Sequence, residues 1–184
     1  KEKNEDLFLK EKRIYELSQI ENGMPKVQPY QIGFRLLTTL LQTYSGDIDA
    51  VIASLKDVKE EQKETLRRRC VCAWYWIKES APDCAPDFCF TLREDGSKAE
   101  DISGEMLTAV RRVRDEVVPR LDTFAVDKEC QQAMYDIATE LGLESKALFT
   151  ALYHALIGKD QGPRLASFFR IIGKEKLQKI LSVY

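Results

Sequence analysis

ALYHALIGKDQGPRLASFFRIIGKEKLQKIL, residues 151 to 181, decides how this chain is read. It holds three apolar-periodic runs, and Gly158 and Gly173 part them. Helices commonly end on glycine, which enters the left-handed region without strain. Pro163, fixed in φ, suits the first turn of a helix. The spacing therefore predicts helices over 145–158, 162–173 and 174–183. Between the first two lies a short polar link, Lys159, Asp160, Gln161 and Gly162, followed by Pro163 and Arg164. Why a net acidic chain sets such groups at a sharp helix junction is the question this stretch poses.

Upstream, Ile32, Phe34, Leu36, Leu37, Leu40, Leu41 and Tyr44 have helical spacing from Tyr30, and Gly46 closes the run. Asp47 is expected to cap a short helix that turns Ile48, Val51, Ile52 and Leu55 inward. A long helix is expected over 60–79, with Leu66, Cys70, Ala73, Trp74 and Ile77 on one face. It should stop at Ala81-Pro82, since a residue before proline resists the α region. A further helix spans 103–118 and ends or kinks at Pro119. Asp127 is expected to cap the next, with Met134, Ile137, Ala138 and Leu141 inward. Residues 82–100, PDCAPDFCFTLREDGSKAE, form a connector in which FCFTL suits a short extended piece. Residues 1–22 are charged and run into the loop ENGMPKVQP. The fold class is all-α, with about eight helices and a weak boundary near 119–126.

The chain has 184 residues, 44% hydrophobic and 32% charged, which describes an ordinary globular chain. No apolar run is long enough to span a bilayer, so no membrane partner is expected. The start, KEKNEDLFLK, has neither an initiator Met nor a signal-peptide core, and reads as a piece of a longer protein. Five cysteines, at 70, 72, 84, 89 and 130, suit reduced thiols in a cytoplasmic protein. Cys70, Cys72, Cys84 and Cys89 make a poor zinc set. Positions two apart on a helix point to different faces, and zinc pairs usually stand three apart. No metal site is expected.

The net charge of −2 is uneven. Residues 145–184 carry seven Lys and Arg against Asp160 and Glu175, or +5, and the other 144 residues carry −7. That asymmetry points to a polyanion at the basic end. The chain has one histidine, His154, and no G-x-S-x-G, glycine-rich phosphate loop or H-E-x-x-H. No catalytic residue is expected, and a binding module is favoured.

Several motifs then occur in a fixed order. They are RIYELSQ (13–19), QPYQIGFRLLTTLLQ (28–42), WIKESAP (76–82), the ALIGK helix end (155–159), the GPR restart (162–164) and IIGKEK (171–176). Together they resemble the C-terminal anticodon-binding region of class I lysyl-tRNA synthetases, over most of the chain. The related glutamyl-tRNA synthetases share the helix-cage architecture and the pattern at the end; GKDQGPR leans to the lysyl type. The resemblance implies an all-α anticodon-binding helix cage. It also implies a parent lysine–tRNA ligase that uses ATP and Mg. Its tRNA would be tRNA-Lys, and its partners its own N-terminal catalytic domain and a second synthetase. The family's HIGH-like and KMSKS-like motifs do not occur here, so this piece alone should not aminoacylate and carries no cofactor of its own.

Under that resemblance the chain divides into a charged segment at 1–25, a first helical subdomain at 26–120 and an anticodon-facing one at 121–184. RNA loops are held by stacking of unpaired bases and by cations on phosphates. Lys159, Arg164, Arg170, Lys174 and Lys176 are the expected cations, and Tyr153 and His154 the expected stacking groups. The N-terminus opened by Gly162-Pro163 favours a phosphate. Arg67, Arg68 and Arg69 read as a solvated face or a backbone contact. Trp74, Trp76, Phe168 and Phe169 read as packing residues. A glutamyl-type domain and an all-α protein-interaction module with a helical groove are the alternatives.

Overall fold

The structure is a computed structural model and describes residues 2–17 and 28–184. Part of the charged segment expected over 1–25, and most of the ENGMPKVQP loop, lie outside the described residues. Among those described there is no strand, and the fold is all-α. The helices are α1 (Glu2–Leu17), α2 (Phe34–Thr43), α3 (Ile48–Ser54), α4 (Glu60–Glu79), α5 (Ala81–Cys84), α6 (Gly104–Arg112), α7 (Asp127–Glu140), α8 (Ser145–Ile157), α9 (Leu165–Ile172) and α10 (Lys174–Leu181).

Two apolar cores form. The first gathers Leu37, Leu40 and Leu41 of α2, Val51 and Ile52 of α3, and Leu66, Cys70, Ala73 and Ile77 of α4, with Ile32 ahead of them. The second gathers α6 to α10 and reaches back to Leu92. Phe168 and Phe169 lie in it with no exposure. Burying such a ring is worth about 1.5–3 kcal/mol. Ile171 of α9 packs on the first core, so that helix bridges the two. The cores part between Ile77 and Leu92. Val113, Val117, Val118, Leu121, Phe124 and Cys130 pack in one cluster, across the boundary read near 119–126.

Local chemistry explains most ends. Asp47 caps α3, its Oδ1 accepting from the Ala50 N–H at 3.0 Å. The helix expected from Tyr30 starts later, at Phe34, with Gly33 as N-cap. The approach is pinned instead by Arg69, which donates to the Tyr30 and Ile32 carbonyls at 2.7 and 2.9 Å. Asp127 is the first helical residue of α7 rather than its cap; Val126 holds that place. The Asp127 carboxylate turns away to Arg170 and Ser167. Before Pro119, α6 widens into a π-helical stretch over Val113–Val117 and then tightens into a 3-10 stretch over Val118–Thr123. A proline has no N–H to continue an α-helical ladder, so the chain changes pitch there.

Candidate nucleic-acid interface

The junction that follows α8 is built from two close approaches. Gly158 ends the helix at φ +66°, and its N–H bonds the Tyr153 and His154 carbonyls. The Arg93 guanidinium lies over it; a Cβ there would stand 2.8 Å from Arg93 Nη2. At Gly162 a Cβ would meet Ile157 Cδ1 at 2.9 Å and the Tyr153 ring at 3.1 and 3.2 Å. The loop folds back onto its own helix, and the Tyr153 hydroxyl donates to the Pro163 carbonyl at 2.6 Å. Pro163 lies outside the helix. Arg164 is the N-cap of α9 and not a residue of its first turn, because its ψ of 119° is not helical.

That loop faces a cleft of about 440 Å³. Its walls come from three places: Arg35, Thr39 and Gln42 of α2, the connector from Cys84 to Phe90, and Ile157, Lys159, Gln161, Gly162 and Pro163 of the junction. The connector is held against α2 by Gln42. Its Oε1 accepts from the Phe90 N–H at 2.7 Å, and its Nε2 donates to the Phe88 carbonyl at 3.4 Å. Lys159 Nζ donates to the Pro86 carbonyl at 2.7 Å, closing the cleft from the other side. A single bond leaves that ammonium further donors. Among the described residues, the Arg35, Gln161 and Arg164 side chains bond to nothing. Phe88 joins Phe34 and Trp76 in an aromatic cluster, with ring centroids 5.3 to 6.4 Å apart. Phe34 is 52% exposed, so part of this cluster faces solvent. The cleft thus offers cations, an amide and rings at one mouth, with the Asp87 carboxylate beside them.

The expected site residues fare differently. Tyr153 is half-buried and committed to Pro163. Burial pushes its hydroxyl pKa up, which keeps it a neutral donor. His154 bonds Asp101 through Nδ1 and Asp160 through Nε2, the latter at 2.7 Å, so both ring nitrogens are engaged. Arg170 pairs with Asp127 at 2.8 Å and donates to the Phe124 carbonyl at 2.7 Å. Lys176 pairs with Glu94 at 2.9 Å and stands 5.4 Å from the Tyr44 ring centre, tying the second core to the first. Lys174, in the first turn of α10, is half-buried without a partner among the described residues. Of the seven, only Lys159 lines the cleft, with Arg164 adjoining Pro163 on its rim.

In the arginine run on α4, Arg67 and Arg69 are tied to other segments and Arg68 stays on a solvated face. Arg67 pairs with Asp49, Arg68 lies 3.4 Å from Glu64, and Arg69 holds the approach to α2. Trp74 lies across the Gly46 backbone with Lys78 Nζ 5.7 Å from its ring centre.

Residues 87–182, which carry the second core and part of the cleft wall, match a family model described as "Anticodon binding domain". That is more than half of the chain. The chain belongs to the anticodon binding domain family. It is 49% identical over 183 residues to the lysine–tRNA ligase of Treponema pallidum, covering 99% of this chain and 34% of that protein. It is 35% identical to that of Borreliella burgdorferi, covering 94% of this chain and 32% of that protein. The lysine–tRNA ligase of Thermococcus kodakarensis is 34% identical, with 92% and 32% covered. The chain spans about a third of the length of the curated relatives it matches. The resemblance to class I lysyl-tRNA synthetases read from the motifs therefore stands.

Within this anticodon binding domain, the sequence alone gave no cleft role to Arg35, Phe88 or Phe90, and placed Gln161 in the junction without assigning it one. Only one signal pointed to the connector: a long stretch without an element of its own inside a packed chain is often functional. Nothing local marks Arg35. It becomes part of the cleft only because the connector packs against α2.

No described helix is long and apolar enough to cross a membrane.

Proposed function

We propose that this chain is the anticodon-binding part of a class I lysine–tRNA ligase, and that the cleft between its cores receives unpaired nucleotides of the tRNA-Lys anticodon loop. The observation that carries the reading is the meeting of Arg35, Lys159, Gln161 and Phe88 at one mouth. Cations hold phosphates and position the strand, rings accept unstacked bases, and a free amide bonds base edges. Arg164 extends the basic rim, and Lys174 is a further candidate for a phosphate. Tyr153, His154, Arg170 and Lys176 act one step back, by holding the walls. Lysine activation belongs to the rest of the ligase, the N-terminal catalytic domain, with ATP and Mg; the tRNA-Lys, the catalytic domain and any second synthetase are its partners. Its setting would be the cytoplasm.

A salt titration of binding to a tRNA-Lys anticodon stem-loop, beside an anticodon-swapped stem-loop, tests this. The expected result is affinity that falls steeply with salt and drops when the anticodon is changed. Equal binding of both loops would overturn anticodon reading. A second reading, a protein-docking face, has its own observation. Leu36, Val71 and Tyr75 are exposed by 44%, 51% and 67% on the outward faces of α2 and α4. Tight, salt-insensitive binding to a protein with no RNA affinity would favour it.

A further inference from the structure

The junction loop has three tethers. Tyr153 and Lys159 bond to backbone carbonyls. The third is His154, in the last turn of α8. Its ring bridges two carboxylates from opposite sides: Asp101, on the loop before α6, and Asp160, at the crest of the junction. A ring that bonds two carboxylates must donate from both nitrogens, which only the imidazolium does. The last turn of a helix also favours a cation.

We propose that His154 is a positioning residue, a protonation-dependent latch that holds residues 158–163 in the shape that receives RNA, so that RNA affinity falls as the imidazole loses its proton. This rests on the reading of the cleft as the RNA site. The charged groups around the ring are Arg93, Lys98, Glu100 and Asp101, which share one shallow hollow with it, and Asp160. Arg93 lies over Gly158 and also helps hold Asp101 ionised. Partial burial of the ring pulls its pKa down, but the bonds to Asp160 and Asp101, with their charges, outweigh this and the net shift is upward. A raised histidine contributes its stabilisation below the unfolded value and loses it as pH rises through the folded value. The latch is therefore closed on the acid side and released on the alkaline side of that value.

The chain's single histidine makes the test clean, because one imidazole resonance reports one group. Three quantities are followed from about pH 5.5 to about pH 8.5, across the range where histidine titrates. They are the imidazole NMR shift, the exchange protection of the 159–162 amides corrected for intrinsic rates, and the affinity for a tRNA-Lys anticodon stem-loop. The expected result is a common midpoint above the free imidazole value, with affinity weakening about five- to tenfold across it. His154→Gln, which keeps a neutral amide in place, should give a flat affinity profile at the weak level, and Asp160→Asn should shift the imidazole midpoint down. Affinity that is flat through an observed imidazole titration overturns the proposal, as does a His154→Gln profile that keeps the wild-type slope. If no RNA binds at any pH, the cleft reading fails and the affinity claim fails with it. Unchanged loop protection through the titration overturns the latch itself.

Discussion

The Gln42 carboxamide accepts the Phe90 N–H at 2.7 Å, across 48 residues of sequence, and so fixes the connector to α2. Gln42 is 4% exposed, and the bond makes one wall of the cleft. Gln42→Leu keeps the bulk but leaves the Phe90 amide without its acceptor. Loss of this part-buried bond is destabilising by about 1 kcal/mol. The urea midpoint should drop accordingly, and stem-loop affinity should weaken as the wall loosens. An unchanged midpoint would mean that water replaces the amide.

Gly162 sets how closely the junction approaches α8. In Gly162→Ala the new methyl meets Ile157 Cδ1 and the Tyr153 ring, so the loop or the ring must shift. Overpacking of this kind destabilises by about 1–3 kcal/mol. Tyr153→Phe removes only the bond to Pro163 and should lower stability by about 1 kcal/mol. Thermal melts rank the two, and alanine should weaken RNA binding more than phenylalanine does. The reverse order would show that the hydroxyl, not the close approach, holds the loop.

Arg35→Ala should weaken stem-loop binding and lower the slope of log affinity against log salt by about one, as loss of one phosphate contact requires. Gln161→Ala should weaken binding with no change in slope. Circular dichroism should show both variants folded, since neither side chain bonds to anything among the described residues. A full-length slope retained by Arg35→Ala would take that residue out of the site.

Lys176 is expected to act through the fold. Its ammonium meets Glu94, the Thr43 carbonyl and the Tyr44 ring. The pair is about a third exposed, so solvent discounts it. A double-mutant cycle of Lys176→Ala with Glu94→Ala should give a coupling of about 0.5 kcal/mol in denaturation. The salt slope of RNA binding should stay as in the unaltered chain. A slope reduced by one would make Lys176 a phosphate ligand after all.

The cysteines supply a footprint. Cys72 and Cys84 are exposed, and Cys70 and Cys130 are fully buried. Burial pushes the Cys130 thiol up to about 11 and the Cys70 thiol up as well, so both resist alkylation near neutral pH. A maleimide should label Cys72 and Cys84. Bound stem-loop should protect Cys84, on the cleft wall, and leave Cys72 reactive. Equal protection of both, read by peptide mass, would place the RNA elsewhere.

Helices α8, α9 and α10 were legible from residues 145–183 alone, because helical periodicity is a local property. Each apolar side chain meets neighbours three and four places away, and glycine marks the ends. Phe168 and Phe169 could be assigned to the core for the same reason. The ordered motifs identified the family. What the sequence did not disclose is how each cation is spent. Arg170 answers Phe124 from 46 residues away, Lys176 answers Glu94 from 82, and Lys159 answers Pro86 from 73. A charged side chain written in sequence looks the same whether it meets solvent, a carbonyl or a ligand. Only the packing of the two cores decides that, by bringing α2, the connector and the junction to one cleft. Helices and family were therefore determined by the sequence itself, through short-range spacing and punctuation. The gathering of Arg35, Gln161 and Phe88 at one cleft, and the tying of His154 to Asp101, Arg170 to Phe124 and Lys176 to Glu94, came from tertiary structure, because these groups lie too far apart along the chain for any local pattern to connect them.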